Sequence, residues 1–590
     1  MAIVTVLLVG AVVALGCSDN SRAASDDAVT FQPSATQAPA PTAASGVEDT
    51  STPASTPTER RVTLTPVGQI NPGDDGFHGD IWEHKGFAYL GTWGSGSACP
   101  ATGVKVVDLA DPTQPHWVST VAAIPGTSQE DIVVRSIETP AFTGDLLAVG
   151  IQSCAFTTPG GLALFDVTDP RNPVELGFFP TGARGVHELD LIQQGDRALA
   201  LLAVPYSETT PGRGGDFRIV DVSDPGRPAQ LSEWGADAGL SVDLTGGIGC
   251  RRSIYGHSAR ASADGNTAYL SYWDAGVIAL DISDPTRPRV TGHLTYQPEE
   301  AGTTHSVAEA DDGRLLLIAD EEVVFGTPPG LSLEVQTAEG ARVFHGCEAR
   351  FSAPIDTAGA IESGLIDAGR ACANDDLPDG VRGQVVIAHA GGCQPGDKAA
   401  RLGAAGARAV IAGVPGEAVS EIGGGRASIP VVIVSEQDAT TLRDIAAGAP
   451  ARVTLPSARP WGALRIWDID DLGNPRQLAT YQTPNSLRFP APDDGYYTVH
   501  NAEVVDDLAV ASWWSDGVRV IDISDPTAPR EVASYVPPAA PNSQGVIFPD
   551  RTMVWGVVVA GDLVLLSDVN SGLHVLRLGE TDPSPGPSPR

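Results

Sequence analysis

Five of the eleven histidines stand at one recurring place along the chain: His78 in Phe-His-Gly, His187 in Val-His-Glu, His257 in Gly-His-Ser, His305 in Thr-His-Ser and His500 in Val-His-Asn. Each lies about ten residues ahead of an apolar stretch of strand character, so one repeating fold brings them to equivalent positions. Imidazole is a good ligand for copper and zinc, and its charge changes nearest to neutral pH. A ring of such side chains is a candidate metal or ligand site, with Cu or Zn as the cofactor. The recurrence has a plainer explanation too: a residue that ties each repeat to the next by hydrogen bonding is also expected once per repeat. In the second repeat Arg135 or Ser136 takes the place, and in the seventh Trp555 does.

Tryptophans gather near the tight turns that follow those apolar stretches: Trp93, Trp273 beside Asp274, and Trp513-Trp514 close to Asp516. They are candidate surface aromatics for a protein, peptide or glycan ligand, or else packing groups at the edges of repeats. No His-Glu-x-x-His, Gly-x-Ser-x-Gly or Gly-x-x-x-x-Gly-Lys-Ser/Thr occurs, and no catalytic residues are assigned. The formal charge is −36, with lysine only at 85, 105 and 398, so a phosphate backbone would be repelled and nucleic acid is excluded as a partner.

The elements that position these groups repeat. Val104-Lys-Val-Val-Asp-Leu-Ala-Asp-Pro-Thr-Gln-Pro115, Leu162-Ala-Leu-Phe-Asp-Val-Thr-Asp-Pro-Arg-Asn-Pro173 and Phe217-Arg-Ile-Val-Asp-Val-Ser-Asp-Pro-Gly-Arg-Pro228 are the clearest copies. Others start at Val277, Leu464 and Val518, and a strand at Leu573 lacks the Asp-Pro turn. Each joins a β-branched strand to a corner where proline forbids further pairing. With an outer strand after it and two apolar strands before, the unit of roughly 55 residues is a four-stranded blade. The last unit has no outer strand, whereas 62–70 is an outer-type strand with no blade ahead of it. Joining the two closes a ring of seven blades and removes both free edges. The fold class is an all-β seven-bladed β-propeller. These strands resemble the LVIVD-repeat family of bacterial β-propellers, a resemblance that speaks to fold and little to function.

About 130 extra residues interrupt the fifth blade, between Leu315-Leu-Leu-Ile-Ala-Asp320 and Leu464. Here strands alternate with helix: 383–390, the helical 398–406, then Ala409-Val-Ile-Ala412 and Ile429-Pro-Val-Val-Ile-Val-Ser435. Gly392-Cys393, Lys398, Ala405-Gly406-Ala407 and Ile429-Pro430-Val431-Val432 resemble in order the pattern of the protease-associated (PA) domain. That resemblance implies a small α/β, non-catalytic recognition module. Within it Cys372 and Cys393 are expected to pair, as are Cys99 and Cys154 in corresponding hairpins of blades one and two. The insert leaves from the face on which innermost strands begin, the face of the histidines.

Residues 1–16 are uncharged and apolar, as in the core of an export signal, and end in Ala14-Leu15-Gly16-Cys17, which resembles a bacterial lipobox. Cys17 is the expected lipidation site, giving a membrane-anchored lipoprotein at the cell surface or in the periplasm. Residues 18–60 are a Ser/Thr/Pro/Ala tether too poor in large apolar residues to fold, and 580–590 are a disordered tail. The remaining divisions are propeller at 61–324, insert at 325–460 and propeller again at 461–579. The expected function is an exported binding or scaffold protein. The alternative is a metal-dependent, oxidative enzyme.

Overall fold

The computed structural model describes residues 61–581, except 74–76, 95–98, 100–101, 156–157, 183, 206–214, 237–254, 274, 296–302, 322–329, 350, 354–359, 415–426, 449, 456–461, 489–494 and 542–549. Cys17 and the apolar segment before it, the tether, Cys250, Asp274 and residues 582–590 lie outside the described residues.

Seven antiparallel sheets follow one another along the chain, and blade one shows the plan: His78–His84 innermost, then Phe87–Thr92, Val104–Asp108 and, outermost, His116–Val121. The innermost strands touch in sequence from blade one round to blade seven and back to one, so the sheets form a closed propeller. Blade two adds a two-residue strand, Thr127–Ser128, beside Thr143–Ser153. Blade seven is completed by the start of the domain. Arg61–Ile70 pairs antiparallel with Gly572–Thr581, from Arg61 opposite Thr581 to Ile70 opposite Leu573. The last strand therefore runs two residues into the tail expected to be disordered from 580, because Arg61 and Val62 supply it with partners.

The corners are built by their aspartates. In blade four Asp281 Oδ1 accepts the N–H of Ser283 at 3.0 Å and Asp284 Oδ1 that of Thr286 at 3.1 Å, two side-chain-capped turns in series. Asp522 and Asp525 repeat the arrangement in blade six, with Ser524 and Thr527. Between blades, the faces of neighbouring sheets interlock. Leu199, Leu201 and Phe217 of blade three pack on Leu270, Ile278 and Leu280 of blade four, and burying each such side chain stabilises by about 1.5–3 kcal/mol.

Blade five is interrupted between its second and third strands. Leu315–Asp320 pairs with Leu464–Asp468, and the N–H of Asp320 donates to the carbonyl of Ala463 at 3.0 Å, closing the base of the hairpin from which the insert leaves. The insert is a closed barrel of seven strands. Ile361–Asp367, Val385–Ala388, Ala409–Val414 and Val431–Ser435 are mutually parallel, as strands joined by crossovers must be. Two helices serve it: α1, Pro395–Ala404, with proline in its first turn, and α2, Glu436–Gly448. Its two apolar cores draw every member from the insert itself. Disulfides join Cys372 to Cys393 in the insert and Cys99 to Cys154 between blades one and two. Among the described residues no helix is long and apolar enough to cross a membrane.

Candidate functional site: a buried ring of histidines and carboxylates

Strand register decides which side chains face the propeller axis. In blade five Thr304 opposes Asp320 and Ser306 opposes Ala319, so His305 is the extra residue of a β-bulge; in blade seven Trp555 is bulged in the same way between Val554 and Gly556. A bulge re-aims one side chain without ending the strand. Serine hydroxyls reach from one blade to the same place in the next: Ser512 Oγ and Ser567 Oγ, both on second strands, donate to the carbonyls of Trp555 at 2.6 Å and Gly79 at 2.5 Å, and Ser306 Oγ, on an innermost strand, to that of His500 at 2.9 Å. The seven equivalent residues, blade by blade, are Gly79, Glu130, His187, His257, His305, His500 and Trp555.

Four of the five sequence-selected histidines thus meet. His187 Nε2 lies 2.7 Å from His257 Nε2. The ring centres of His257 and His305 are 4.3 Å apart, those of His305 and His500 3.9 Å, and those of His500 and Trp555 4.5 Å. Trp555 Nε1 donates to Glu130 Oε1 at 3.1 Å, and Glu130 Oε2 lies 3.1 Å from His187 Nδ1, which closes the circuit. Blade one contributes no side chain. A Cβ on Gly79 would come within 3.2 Å of the Glu130 Cα and carbonyl oxygen, a tight approach, and with no side chain there Trp555 and Glu130 meet across it.

His78 is not in this ring. Phe77 takes φ of 63°, and a bulge follows between His78 and Ile81, leaving Gly79 at the ring position and His78 one residue early. Neighbours in a strand face opposite ways. His78 Nε2 instead bonds Asn71 Oδ1 at 2.8 Å, and burial, with Lys105 nearby, lowers its pKa to about 4. Blade two also differs from the sequence reading: Glu130 holds the ring position, not Arg135 or Ser136, which lie further along Ile132–Glu138.

Three carboxylates that the histidine pattern did not select serve the ring: Glu130, Glu188 and Glu321. Glu188 follows His187 directly, and its Oε1 lies 3.6 Å from His257 Nδ1 and 3.7 Å from His305 Nε2. Glu321 directly follows the second strand of blade five, Leu315–Asp320, with Oε2 3.6 Å from His305 Nε2 and Oε1 3.7 Å from His500 Nε2. The Val-His-Glu triplet was a visible signal for Glu188. Nothing in local spacing marks Glu321.

Burial governs the charges. Burial pushes the pKa of His257, His305 and His500 well below 6.5, with neighbouring histidines adding to the effect, so all three are neutral at pH 7. His187 also loses by desolvation, but the charge of Glu130 and its hydrogen bond outweigh that and raise it to about 9. Burial lifts Glu188 to about 7 against the pull of Arg260. Arg260 reaches back from blade four, with Nη1 3.2 Å from Asp131 Oδ2 and Nη2 3.5 Å from Glu188 Oε2. One to three residues further along the same strands opens a cavity of about 240 Å³, polar through Asp80, Asp131, Asp190, Arg260, Asn501 and Glu503.

Tryptophans form a layer beside the histidines. Trp273 and Trp514, at φ of 23° and 34°, each bridge to the residue before the next blade's ring position, Thr304 and Val554. Trp273 lies 4.6 Å from the His257 ring, Trp514 5.3 Å and Trp93 5.5 Å from Trp555, all centre to centre. Trp93 and Trp273 are half-buried, but Trp513 and Trp514 are buried and are not surface aromatics. Trp513 is fixed in the core by Nε1 bonds to Ser486 Oγ at 2.9 Å and the Tyr497 carbonyl at 3.0 Å.

Two sets of metal-capable side chains result, His187 with Glu188 and His257, and His257 with His305 and Glu321; within each set the ligand atoms lie within 4.8 Å of one another. Two imidazoles and a carboxylate suit borderline divalent ions such as zinc, copper or iron.

Comparison with known proteins agrees with this architecture. The PA domain family matches residues 355–442, and the LVIVD repeat matches 212–233, 255–295 and 508–536. No curated protein matches the chain. Among solved structures, an aminopeptidase from Aneurinibacillus sp. strain AM-1 is 18% identical over 24% of this chain and 34% of its own, with a TM-score of 0.19. BSAP, a zinc aminopeptidase from Bacillus subtilis, is 22% identical over 28% of this chain and 36% of its own, with a TM-score of 0.18. The chain spans about a third of the length of either, and likeness at that level carries nothing about activity. The repeats, the ring they close and the domain spliced into one hairpin make this chain a seven-bladed β-propeller of LVIVD repeats that carries a PA domain.

Proposed function

We propose that this chain is an exported, lipid-anchored binding and scaffold protein of the cell surface, with the propeller as a rigid platform and the PA domain as its recognition module for a protein, peptide or glycan. The observation that carries this reading is the independence of the insert. Its barrel closes on itself and its two apolar cores take nothing from the blades, while Asp320 and Ala463 already meet at the hairpin base. A module so joined can serve recognition without disturbing the platform. Anchoring rests on Cys17 and the apolar residues before it.

Burial of the ring favours this reading over an oxidative enzyme using copper or zinc. The side chains of His187, His257, His305 and His500 are 14%, 5%, 1% and 1% exposed, which leaves a substrate little access. Replacing 322–461 by a short turn is expected to leave a folded propeller, seen as an unchanged strand signature by circular dichroism, and to abolish capture on peptide and glycan arrays that the full chain shows. Equal capture by both proteins would overturn the assignment of recognition to the insert. Radiolabelled palmitate incorporated by the parent and lost in Cys17→Ala tests the anchor.

A further inference from the structure

We propose that the hub of the propeller is a binding site for one divalent transition-metal ion, held between blades four and five by His257, His305 and Glu321, with Glu188 beside it. The donor separations carry the argument. Around a tetrahedral ion with bonds of about 2.0–2.1 Å, neighbouring donors stand about 3.3 Å apart. Glu188 Oε1 to His305 Nε2 and Glu321 Oε2 to His305 Nε2 measure 3.7 and 3.6 Å. These spacings are too long for hydrogen bonds and only slightly longer than the edge of a ligand shell.

The hydrogen-bond inventory points the same way. Buried polar atoms are almost always partnered, yet among the described residues Glu188 Oε1, His305 Nδ1 and both ring nitrogens of His500 have no hydrogen-bond partner. These side chains are nine-tenths or more buried and converge on the same space. Charge also favours a cation. Asp80, Asp131, Glu130 and Glu188 crowd the hub, and Arg260 is shared between Asp131 and Glu188. An outer shell is in place: His257 Nδ1 donates to the carbonyl of His305 at 3.2 Å, so Nε2 is the atom His257 offers the ion, in place of its 2.7 Å contact with His187, and His500 flanks Glu321 at 3.7 Å. Imidazole in the set discriminates against calcium and magnesium, which prefer oxygen.

The test uses the full chain purified without an affinity tag, stripped with EDTA and dialysed against zinc sulfate. One zinc per chain is expected by mass spectrometry of the metal, unaffected by excess magnesium or calcium and displaced by copper(II). Cobalt(II) in the zinc-free protein is expected to give d–d bands of low-symmetry nitrogen and oxygen ligation. Glu321→Gln and His305→Ala should each weaken zinc binding by about 100-fold or more, whereas His116→Ala, on the exposed outer strand of blade one, should not. Absence of zinc uptake and of cobalt bands in the parent protein overturns the site. Zinc binding at parental affinity in folded Glu321→Gln also overturns it, and that shape-conserving variant decides the matter if His305→Ala does not fold.

Discussion

At the rim of the six blades that carry an aspartate corner a carboxylate sits in water and accepts local hydrogen bonds; at the hub the same kind of group is enclosed. Asp284 bonds the N–H of Thr286 at 3.1 Å and its hydroxyl at 2.6 Å, and these bonds hold its carboxyl below the usual range. Asp525 does the same with Thr527. Asp80, by contrast, is pushed well above it by burial and by the charges of Asp131, Glu188 and Glu130. Burial likewise lifts Glu503 to about 7. Both sets recur from blade to blade. The rim set is satisfied within five residues of chain, while the hub set depends on partners from several blades at once. Repetition therefore reports local turn chemistry outside and collective electrostatics inside.

Three experiments press on this contrast. The largest effect is expected from Arg260→Met, which leaves Asp131 and Glu188 without their shared cation; removing one member of a buried ion network costs about 3–5 kcal/mol. Urea denaturation at pH 7 measures it, and a midpoint within error of the parent would show that the hub carboxylates need no counter-charge. Next comes His187, faced by Glu130, Glu188, Asp131 and His257. Its pKa is raised to about 9 in the folded chain, so its contribution is full below about 6.5 and is lost as pH rises through 9, on the order of 3 kcal/mol. His187→Gln should flatten the fall in stability across that window. The smallest effect belongs to the rim: Asp284→Ala breaks one exposed corner and should leave the denaturation midpoint and the hub's pH dependence unchanged. A fall as large as that from Arg260→Met would erase the distinction between the two sets.

Much of the architecture was legible because it is written locally. Asp-Pro corners, β-branched strands and the mismatch between an orphan first strand and an incomplete last repeat dictate seven blades. The PA insert announced itself by a change of period, from alternating strand to strand and helix. The hub was legible only in part, since side-chain direction there depends on bulges, and one residue of register turns a side chain to the opposite face. His78 was lost to that slip. Glu130 was missed because the innermost strand and hairpin of blade two are longer, which moves the ring position further ahead of the second strand. Glu321 directly follows a second strand, so no pattern centred on first strands could find it. Trp513 and Trp514 looked like a surface pair; φ of 34° at Trp514 turns its ring inward over Trp555 instead.

Closure of blade seven has a kinetic side. The hydroxyl of Thr63 bonds the carbonyl of Gly579 across 516 residues of sequence, so the contact that removes the ring's last free edges joins the two ends of the folded region. Contacts between distant residues form late, because the intervening chain must lose its freedom before they repay it. On a ribosome the strand at 61–70 would emerge early and wait, unpaired, until the final repeat is released. Until then blade seven lacks its outer strand, and an exposed edge invites pairing with a neighbouring chain. The hub, built from all seven blades, can become enclosed only when the first strand meets the last.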